Sequence, residues 1–480
     1  MEENKQVSKT AKFLMVFYPL LAGFTKHQTG FVIGWSAALP KIQADNSTSF
    51  DVTDEDVKWL ISLTGVAGMV GALAGGPIIE TFGPRRVLVV IQTPAIILWL
   101  LSAYAPYLSI LYFGRIGQCI IMIICGPLIP LLIAEYSDPK IRGFMLASEE
   151  IMVAVGMLVM YAMVHKLYWV TATALAALSA TVQFLLCFSL PESPFWLARN
   201  GHHKKAEEVL MRLRFSKAKA KEEFETLLSS VQAKRQSTVL EQIRELKHCQ
   251  NYRPVLLLCA IYTLRELGGE YIVFSYTVYM FEKAGVEMNP FTCTVLVGVT
   301  RTLASIAMAL LLDRIGRRPL LIGTTLLCAL ASLVCGAFLL LELPKASWVP
   351  LAAVLVYVAS YGFGLGPIPW GLTGEMIPTP VRSTGGSICL LMYSTSVSIM
   401  GYLFPEMIEH MGIGPTFLSF TAFLFALSII LFRWFPETKG KTLNNLESTF
   451  KRKSKKNQEV FTISGTENSQ HITGCEITKL

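Results

Sequence analysis

Long apolar stretches recur along the whole chain and limit the folds open to it. Six lie at residues 13–39, 57–79, 87–108, 111–134, 145–164 and 168–190, and six more at 255–281, 291–312, 319–341, 349–374, 384–406 and 413–435. A helix needs about 20 mostly apolar residues to cross a bilayer. Only 16% of the 480 residues are charged, against about 25% in soluble domains. The pattern predicts an all-α membrane protein with twelve transmembrane helices in the lipid bilayer.

Polar segments divide these stretches into two sets of six. We predict an N-terminal segment at 1–12, a first half at 13–190, a helical linker at 191–254, a second half at 255–435 and a tail at 436–480. Basic residues in the short connections fall on the side of the linker, namely Arg85, Arg86, Arg142, Arg317, Arg318 and Arg382. Because cytoplasmic loops are enriched in Lys and Arg, we predict that the linker and both termini are cytoplasmic.

The remaining polar features are consistent with this topology. Residues 41–58, on the opposite side, contain the glycosylation triplet Asn46-Ser47-Thr48. No cleavable signal precedes the first span, which we expect to direct insertion itself. Eight of the ten cysteines lie in predicted spans, so no disulfide framework is implied. The net charge of +8 suits an anionic membrane surface and requires no nucleic-acid partner.

Short charged motifs repeat between the two halves. The stretch from Glu80 to Arg86 matches 313–318, and Glu135 and Glu375 stand 240 residues apart, each followed seven residues later by an arginine. Two parallel six-helix repeats predict the major facilitator fold, with a site between the halves at mid-membrane. Acids and arginines that face each other at helix ends can form charge-assisted hydrogen bonds. We therefore predict a gate formed by Glu80, Arg85, Arg86, Glu135, Arg142, Asp313, Arg317, Arg318, Glu375 and Arg382. A simpler interpretation is that these residues only set the topology.

Further motifs resemble one transporter family. The stretch Gly366-Pro367-Ile368-Pro369-Trp370, together with Pro191-Glu192-Ser193-Pro194 and Pro436-Glu437-Thr438, is similar to the sugar porter family of the major facilitator superfamily. Within that family the chain looks most like insect facilitated trehalose transporters. The resemblance implies alternating-access transport of a small sugar such as trehalose or glucose, without a cofactor.

The resemblance also implies a central substrate site, but with altered residues. Trp370 and Tyr276 match aromatic residues of the family site. At positions where the family has neutral amides, this chain has Glu150, Arg265, Glu266, Tyr271, Arg301 and Tyr393. The implied substrate-binding residues are these eight.

Charged side chains at these depths must face water or one another, because each costs about 2.5–3.5 kcal/mol at mid-membrane on insertion scales. We expect Arg265 to meet Glu150, and Arg301 to meet Glu266 or Glu270. On one continuous helix Glu266 and Glu270 would share a face, with Arg265 about 100° from Glu266. Three interpretations stay open: the charges bind a sugar, form internal salt bridges, or bind a charged or zwitterionic solute.

Other functions can be compared with transport. No nucleotide-binding loop, metal-ligand cluster or nucleophile elbow is present, so the sequence predicts no enzyme. Proton-coupled sugar porters resemble one another in an aspartate of the first span, where this chain has Val32. That difference favours a facilitator, while the carboxyl group of Glu150 keeps proton coupling as an alternative. A non-transporting sugar sensor is another. We predict a plasma-membrane location; the sequence does not indicate an oligomeric state.

Overall fold

The structure is a computed structural model that describes residues 2–138, 141–214, 217–233, 239–341 and 346–439. Within these ranges, only the backbone is described at residues 2–12, 217, 219, 230, 232–233, 239 and 312–314. The described residues of the first half form helices α1 Glu2–Phe24, α2 His27–Gly34, α3 Leu39–Gln43, α4 Asp54–Phe82, α5 Pro84–Ala103, α6 Leu108–Tyr136, α7 Arg142–Lys166 and α8 Trp169–Cys187, with a 3₁₀ turn at Trp35–Ala38.

The linker contains helices α9 Pro194–Arg199, α10 His203–Leu213, α11 Lys217–Ala233 and α12 Val239–Glu245. Trp196, Leu210 and Phe224 form a small apolar core where α9, α10 and α11 pack together. These four helices fall within the predicted linker at 191–254, and the next helix begins at Cys249, before the predicted boundary at residue 255.

The second half repeats the order of the first. It contains α13 Cys249–Leu267, α14 Glu270–Ser275, α15 Thr277–Lys283, α16 Pro290–Ile315, α17 Arg317–Leu340, α18 Val349–Ser360, a π-helical turn at Tyr361–Leu365, α19 Pro367–Met376, a 3₁₀ turn at Thr379–Val381, α20 Arg382–Met411 and α21 Ile413–Trp434. The predicted tail lies outside the described residues beyond Lys439.

Ten helical segments within the described ranges are long and apolar enough to cross a membrane. They match ten of the twelve predicted spans; the first and the seventh are the exceptions. Large apolar side chains on their outer surfaces are exposed, for example Val90, Phe113, Leu185 and Phe432. Backbone polar groups are satisfied within each helix, as a lipid environment requires. The protein is therefore a multi-pass, all-α membrane protein.

The first and seventh predicted spans are divided into short helices. Residues 25–26 separate α1 from α2, and Gly268 and Gly269 separate α13 from α14. Gly269 has φ +90°, a left-handed conformation that disfavours any residue with a Cβ. The two divided segments occupy the same position in each half, and α2 contacts α14. The tenth predicted span is interrupted at Gly366, between the π-helical turn and α19; Pro367 begins α19, whereas Pro369 lies within that helix.

The two halves meet along three helix pairs, α4 with α20, α7 with α16, and α2 with α14. We call the end of the spans next to α9–α12 the linker end, and the end that carries residues 44–53 the loop end. At the loop end, Lys58 Nζ lies 2.5 Å from Glu406 Oε1. Nearer the centre, Ser62 donates a hydrogen bond of 2.8 Å to the carbonyl of Ser398. In the linker-end part of the spans, by contrast, Gly76, Gly126, Gly371 and Gly374 face open space.

Candidate functional site

The repeated motifs contact one another at the linker end. Gly83 and Gly316 both have positive φ and separate α4 from α5 and α16 from α17. The carboxylate of Glu192 accepts the backbone N–H of Arg85 at 2.9 Å. In the second half, Glu437 accepts the N–H groups of Arg317 and Arg318, both at 3.1 Å. Each glutamate thus caps a helix N-terminus, where negative charge is favoured.

Burial alone would raise the pKa of Glu437. Hydrogen bonds from the backbone N–H groups of Lys439, Arg318 and Arg317 outweigh it and hold the pKa of this carboxyl below its usual value. Neither Glu192 nor Glu437 was among the predicted gate residues. Their signal in the sequence was the repeated Pro-Glu-Ser or Pro-Glu-Thr triplet itself.

The predicted gate residues lie at the linker end in varied pairings. Arg317 Nη2 lies 3.7 Å from Glu375 Oε1, which joins α17 to α19. In the first half Glu80 pairs with Arg199 of the linker at 3.2 Å. Glu135 accepts a 2.5 Å hydrogen bond from Ser193.

Four further residues complete the predicted gate. The guanidinium of Arg86 lies 5.5 Å from the ring centroid of Trp196. Arg382 donates to the carbonyl of Ile377 at 3.4 Å. The Nε atom of Arg142 is buried without a hydrogen-bond partner among the described residues. The side chain of Asp313 lies outside the described part of the structure. The gating role of the whole set stays a prediction.

The charged residues of the seventh predicted span bind one another. Arg265 donates to Glu266 Oε1 through Nε at 3.1 Å and Nη2 at 2.9 Å. Its Nε also lies 2.7 Å from Glu270 Oε2, and the hydroxyl of Tyr361 donates to Glu270. The side chains of Arg265 and Glu266 are fully buried. The break at Gly268 and Gly269 removes the constant rotation of 100° per residue, so α14 brings Glu270 back toward Arg265.

The second arginine joins the halves. Arg301 Nη2, on α16, lies 3.1 Å from Glu150 Oε2 on α7. The guanidinium also lies 4.3 Å from the ring centroid of Tyr361. The predicted pairing of Arg265 with Glu150, and of Arg301 with Glu266 or Glu270, is therefore wrong. Because α13 ends at Leu267, Arg265 is held within its own half and Glu150 is left for Arg301.

Three aromatic rings surround the Arg265 guanidinium. Its central carbon lies 5.3 Å from the ring of Tyr262, 5.6 Å from Trp370 and 5.7 Å from Tyr393. We call these three rings the aromatic cage. Trp370 is 5.3 Å from Tyr262 and 5.1 Å from Tyr393, between ring centroids. Cations within about 6 Å of an aromatic face are attracted to it, more strongly when desolvated. Arg265 thereby connects the ion cluster to Trp370.

The predicted substrate residues differ in exposure. Five are buried: Arg265, Glu266, Tyr271, Tyr276 and Arg301. The hydroxyl of Tyr276 donates to the carbonyl of Gly401 at 2.7 Å. Trp370, Tyr393 and Glu150 are partly exposed. The contacts therefore join six of the eight in two groups: Glu150 with Arg301, and Arg265 with Glu266, Trp370 and Tyr393. Tyr271 is buried on α14, and Tyr276 packs against α20 nearer the loop end.

Several central residues were absent from the predicted site. Tyr262 and Tyr361 contact the arginines through their rings; their proximity to Arg265 and Gly362 in the chain was the available signal. Arg115 is buried on α6 and donates to the carbonyl of Val32 at 2.5 Å and to Ser36 at 2.9 Å. Among the described acids, none forms a salt bridge with it. No repeat or family motif in the sequence marked this arginine.

Comparison with known proteins agrees with this architecture. Residues 13–450 match the profile of the family described as "Sugar (and other) transporter". The facilitated trehalose transporter Tret1 of Aedes aegypti is 28% identical over 449 residues, covering 91% of this chain and 56% of that protein. The Tret1 of Culex quinquefasciatus is 27% identical over 441 residues, covering 90% of this chain and 85% of that protein. The chain thus spans little more than half the length of the Aedes relative.

Solved structures have the same fold. The proton:xylose symporter XylE, bound to 6-bromo-6-deoxy-D-glucose, superposes with a TM-score of 0.75 at 20% identity, covering 93% of this chain and all of that one. The inward-open conformation of XylE from E. coli superposes with a TM-score of 0.71 at 19% identity, covering 93% of this chain and 99% of that one.

The two halves, the repeated helix-end motifs and the central site define a multi-pass membrane protein with the major facilitator fold. The chain belongs to the sugar (and other) transporter family. The resemblance inferred from its motifs is confirmed, and the family is one of transporters rather than enzymes.

Proposed function

We propose that the chain is a facilitative transporter of a small sugar, trehalose or a hexose such as glucose, which it moves by alternating access. The observation that carries this proposal is the aromatic cage of the second half, in which Trp370 and Tyr393 are partly exposed. A flat ring suits the C–H face of a sugar, and neighbouring polar groups can bind its hydroxyls. The Tret1 relatives are named as trehalose transporters, which supports the choice of substrates.

Within this proposal the site residues divide into two groups. Trp370, Tyr393 and Glu150 contact the sugar, because their side chains remain accessible in this conformation. Arg265 and Glu266 have no exposed side-chain surface and act as positioning residues that hold Trp370 in place. Of the three interpretations of the charges, internal salt bridges with limited substrate contact therefore has the most support.

Alternating access has support from the contacts between the halves. They hold together at the loop end through Lys58 and Glu406, while Gly76, Gly126 and Gly374 face open space toward the linker end. We propose that this state opens to the linker end, and that the gate residues Glu80, Arg85, Arg86, Glu135, Arg142, Asp313, Arg317, Arg318, Glu375 and Arg382 hold the other state closed.

Transport without proton coupling has support at the first span. Where proton-coupled relatives have a carboxylate, this chain has Val32, and the buried Arg115 bonds its backbone carbonyl instead. Glu150 is already paired with Arg301.

We also propose a plasma-membrane location with both termini in the cytoplasm and a glycan on Asn46. Asn46 is exposed at the loop end. The adjacent Asp45 accepts hydrogen bonds from the Tyr168 hydroxyl, from Ser47 and from the Trp169 indole, which hold its pKa well below its usual value. An endoglycosidase should increase the gel mobility of the protein from animal cells and leave an Asn46→Gln variant unchanged.

The test of transport is uptake by the purified full-length chain in liposomes. We expect saturable, downhill uptake of labelled trehalose or glucose that an imposed pH gradient does not change. Trp370→Ala should reduce the uptake rate at subsaturating sugar by roughly two- to tenfold, since loss of an aromatic contact of roughly 0.5–1.5 kcal/mol lowers affinity by that order. Trp434→Ala is the matched control, because this tryptophan is 62% exposed on the outer surface.

Each alternative has a distinct result. Uptake that accelerates with an inward proton gradient would replace the facilitator with a symporter. Failure of the folded protein to take up either sugar would overturn the proposed function and leave a charged solute or a sensor. Equal effects of the two tryptophan variants would remove Trp370 from the site.

A further inference from the structure

A groove of about 290 Å³ lies at the linker end, between the start of α5 and helix α10. The charged side chains that line it are Arg85, Arg86, Lys205, Arg212, Glu192 and Glu208. Four basic groups against two acidic ones give this lining a net charge of +2. The groove is separate from the central site and from the aromatic cage, and of its lining residues only Arg85 and Arg86 belong to the predicted gate.

Three of the basic groups are available to a ligand. Arg86, Lys205 and Arg212 are exposed, and no salt bridge to a described acid engages them. The guanidinium of Arg86 lies 5.5 Å from the ring centroid of Trp196, which holds it at the edge of the groove. Arg85 is different, because its guanidinium donates to the carbonyls of Leu190 and Phe188.

The two acids of the lining differ in their contacts. Glu192 Oε1 accepts the backbone N–H groups of Arg85 and Ser193, at 2.9 and 3.1 Å, whereas its Oε2 is buried without a hydrogen-bond partner among the described residues. Glu208 is exposed on α10 with Lys205 and Arg212 on neighbouring turns. The three available basic groups therefore outnumber the two carboxylates, and the whole lining keeps its net charge of +2.

The position of the groove relates it to the bilayer. Arg85 and Arg86 stand in the first turn of α5, a candidate membrane span, at the level where the span leaves the apolar layer. Phe82 and Phe188, beside them, are 59% and 52% exposed. Basic pockets next to the ends of spans are suited to anionic lipid headgroups, with the acyl chains on adjacent apolar side chains.

We propose that this groove binds the phosphorylated headgroup of an anionic phospholipid, with Arg86, Lys205 and Arg212 as its phosphate ligands. The groove is near the lower limit of volume for small-molecule sites, which suits a single headgroup. A lipid bound here connects α5 to the linker helix α10, so the occupant also fixes the linker on the first half.

The experiment measures lipid binding to the purified full-length chain by native mass spectrometry. The probes are dioctanoyl phosphatidylinositol 4,5-bisphosphate, dioctanoyl phosphatidylcholine and soluble inositol 1,4,5-trisphosphate. We expect preferential binding of the bisphosphate lipid. The double variant Lys205→Gln/Arg212→Gln should weaken it by roughly 30-fold, since each Lys or Arg at a membrane surface contributes about fivefold to attraction for anionic lipid.

The matched control is Lys221→Gln/Arg244→Gln, which removes two exposed linker charges outside the groove and should weaken binding by no more than about twofold. All four side chains are exposed, and unchanged melting temperatures verify that the variants fold. Equal weakening by both pairs, or no binding of the bisphosphate lipid, would overturn the site. Equally tight binding of the soluble trisphosphate would overturn the lipid as the occupant. Because binding is measured without sugar, it is independent of the transport assay.

Discussion

Arg265 shows how one buried cation can organise a membrane site. Its guanidinium binds Glu266 and Glu270 and lies within the aromatic cage. It also donates to the carbonyl of Gly366 at 3.1 Å. Gly366 is the residue at which the tenth predicted span is interrupted, just before Pro367. Arg265 thus satisfies two carboxylates and one backbone oxygen that the membrane would otherwise leave unpaired.

Removing this cation alone should be far more harmful than removing the whole cluster. Arg265→Met leaves the buried Glu266 and Glu270 without the cation that contacts both, and we expect a loss of roughly 3–5 kcal/mol in the free energy of unfolding. The triple variant Arg265→Met/Glu266→Met/Glu270→Met leaves no buried charge there and should regain most of that loss. Thermal unfolding of the purified variants checks this. A triple variant less stable than the single one would contradict the assignment of Arg265 as the counter-ion.

The cluster also marks the limit of prediction at single residues. The cost of burying charge predicts that Arg265, Arg301 and the acids must pair, and they do. The partner of each charged residue could not be predicted. The direction of α14 relative to α13 depends on the backbone angles of Gly268 and Gly269, which the spacing of apolar residues does not encode. Tyr361 was similarly hidden, since its contact with Glu270 depends on the π-helical turn.

The divided helices are the elements on which the centre depends. Gly269 has φ +90°, and a Cβ there would lie 2.6 Å from the ring of Phe420. The neighbouring Gly268 packs against Leu424 on the same helix, α21. Close packing on both glycines holds the break that directs Glu270 toward Arg265.

Gly269→Ala should therefore destabilise the protein through this element. The left-handed backbone costs a residue with a Cβ about 1–2 kcal/mol, and overpacking adds about 1–3 kcal/mol. Gly285→Ala is the matched control, because Gly285 also has positive φ but its Cβ would meet no atom within 4 Å. Melting temperatures of both variants provide the measurement. Similar losses at the two positions would show that packing against α21 is unimportant.

Helix α17 offers a second prediction, because Glu437 caps its N-terminus. Glu437→Gln should lower stability by about 0.5–2 kcal/mol at neutral pH, since a neutral amide caps a helix less well. The folded-state pKa of Glu437 lies below its usual value. Its contribution is therefore fully present above the unfolded pKa and is lost as pH falls through the folded pKa. Unfolding measured from pH 7 to pH 3 should show the difference between the two proteins shrink below about pH 4.3. A difference that stays constant with pH would contradict the role of the charge.

Most elements could be predicted from the chain. Ten apolar stretches are the ten candidate spans, and the linker is helical. The first and seventh stretches also contain enough apolar residues to span a membrane. Their mean hydropathy does not reveal that each is divided into two or more short helices. The adjacent Gly268 and Gly269 were the visible signal for the seventh; the break at residues 25–26 has no glycine or proline to mark it.

In the whole molecule the two halves could be predicted because their motifs repeat, whereas their relative position could not. The repeated acids and arginines mark the linker end of each half, but they carry no information on how the halves pack together. Contacts between the halves depend on small residues without a motif. A Cβ on Gly65 of α4 would lie 2.3 Å from the carbonyl oxygen of Ser394 on α20.

Gly65→Ala should consequently shift the whole molecule away from the state in which the loop end is closed. Helix backbones α4 and α20 must separate to admit the methyl group, because the atoms it meets are backbone atoms of Ser394 and Ser398. Spin labels at Asp54 and Glu409, which are exposed at the loop end of each half, measure the change by electron–electron resonance. We expect the mean distance between the two labels to be longer in Gly65→Ala. It should be unchanged in Gly323→Ala, because a Cβ at that position meets no atom within 4 Å. An unchanged distance in both variants, with normal folding, would mean that close approach at Gly65 does not control the opening of the loop end.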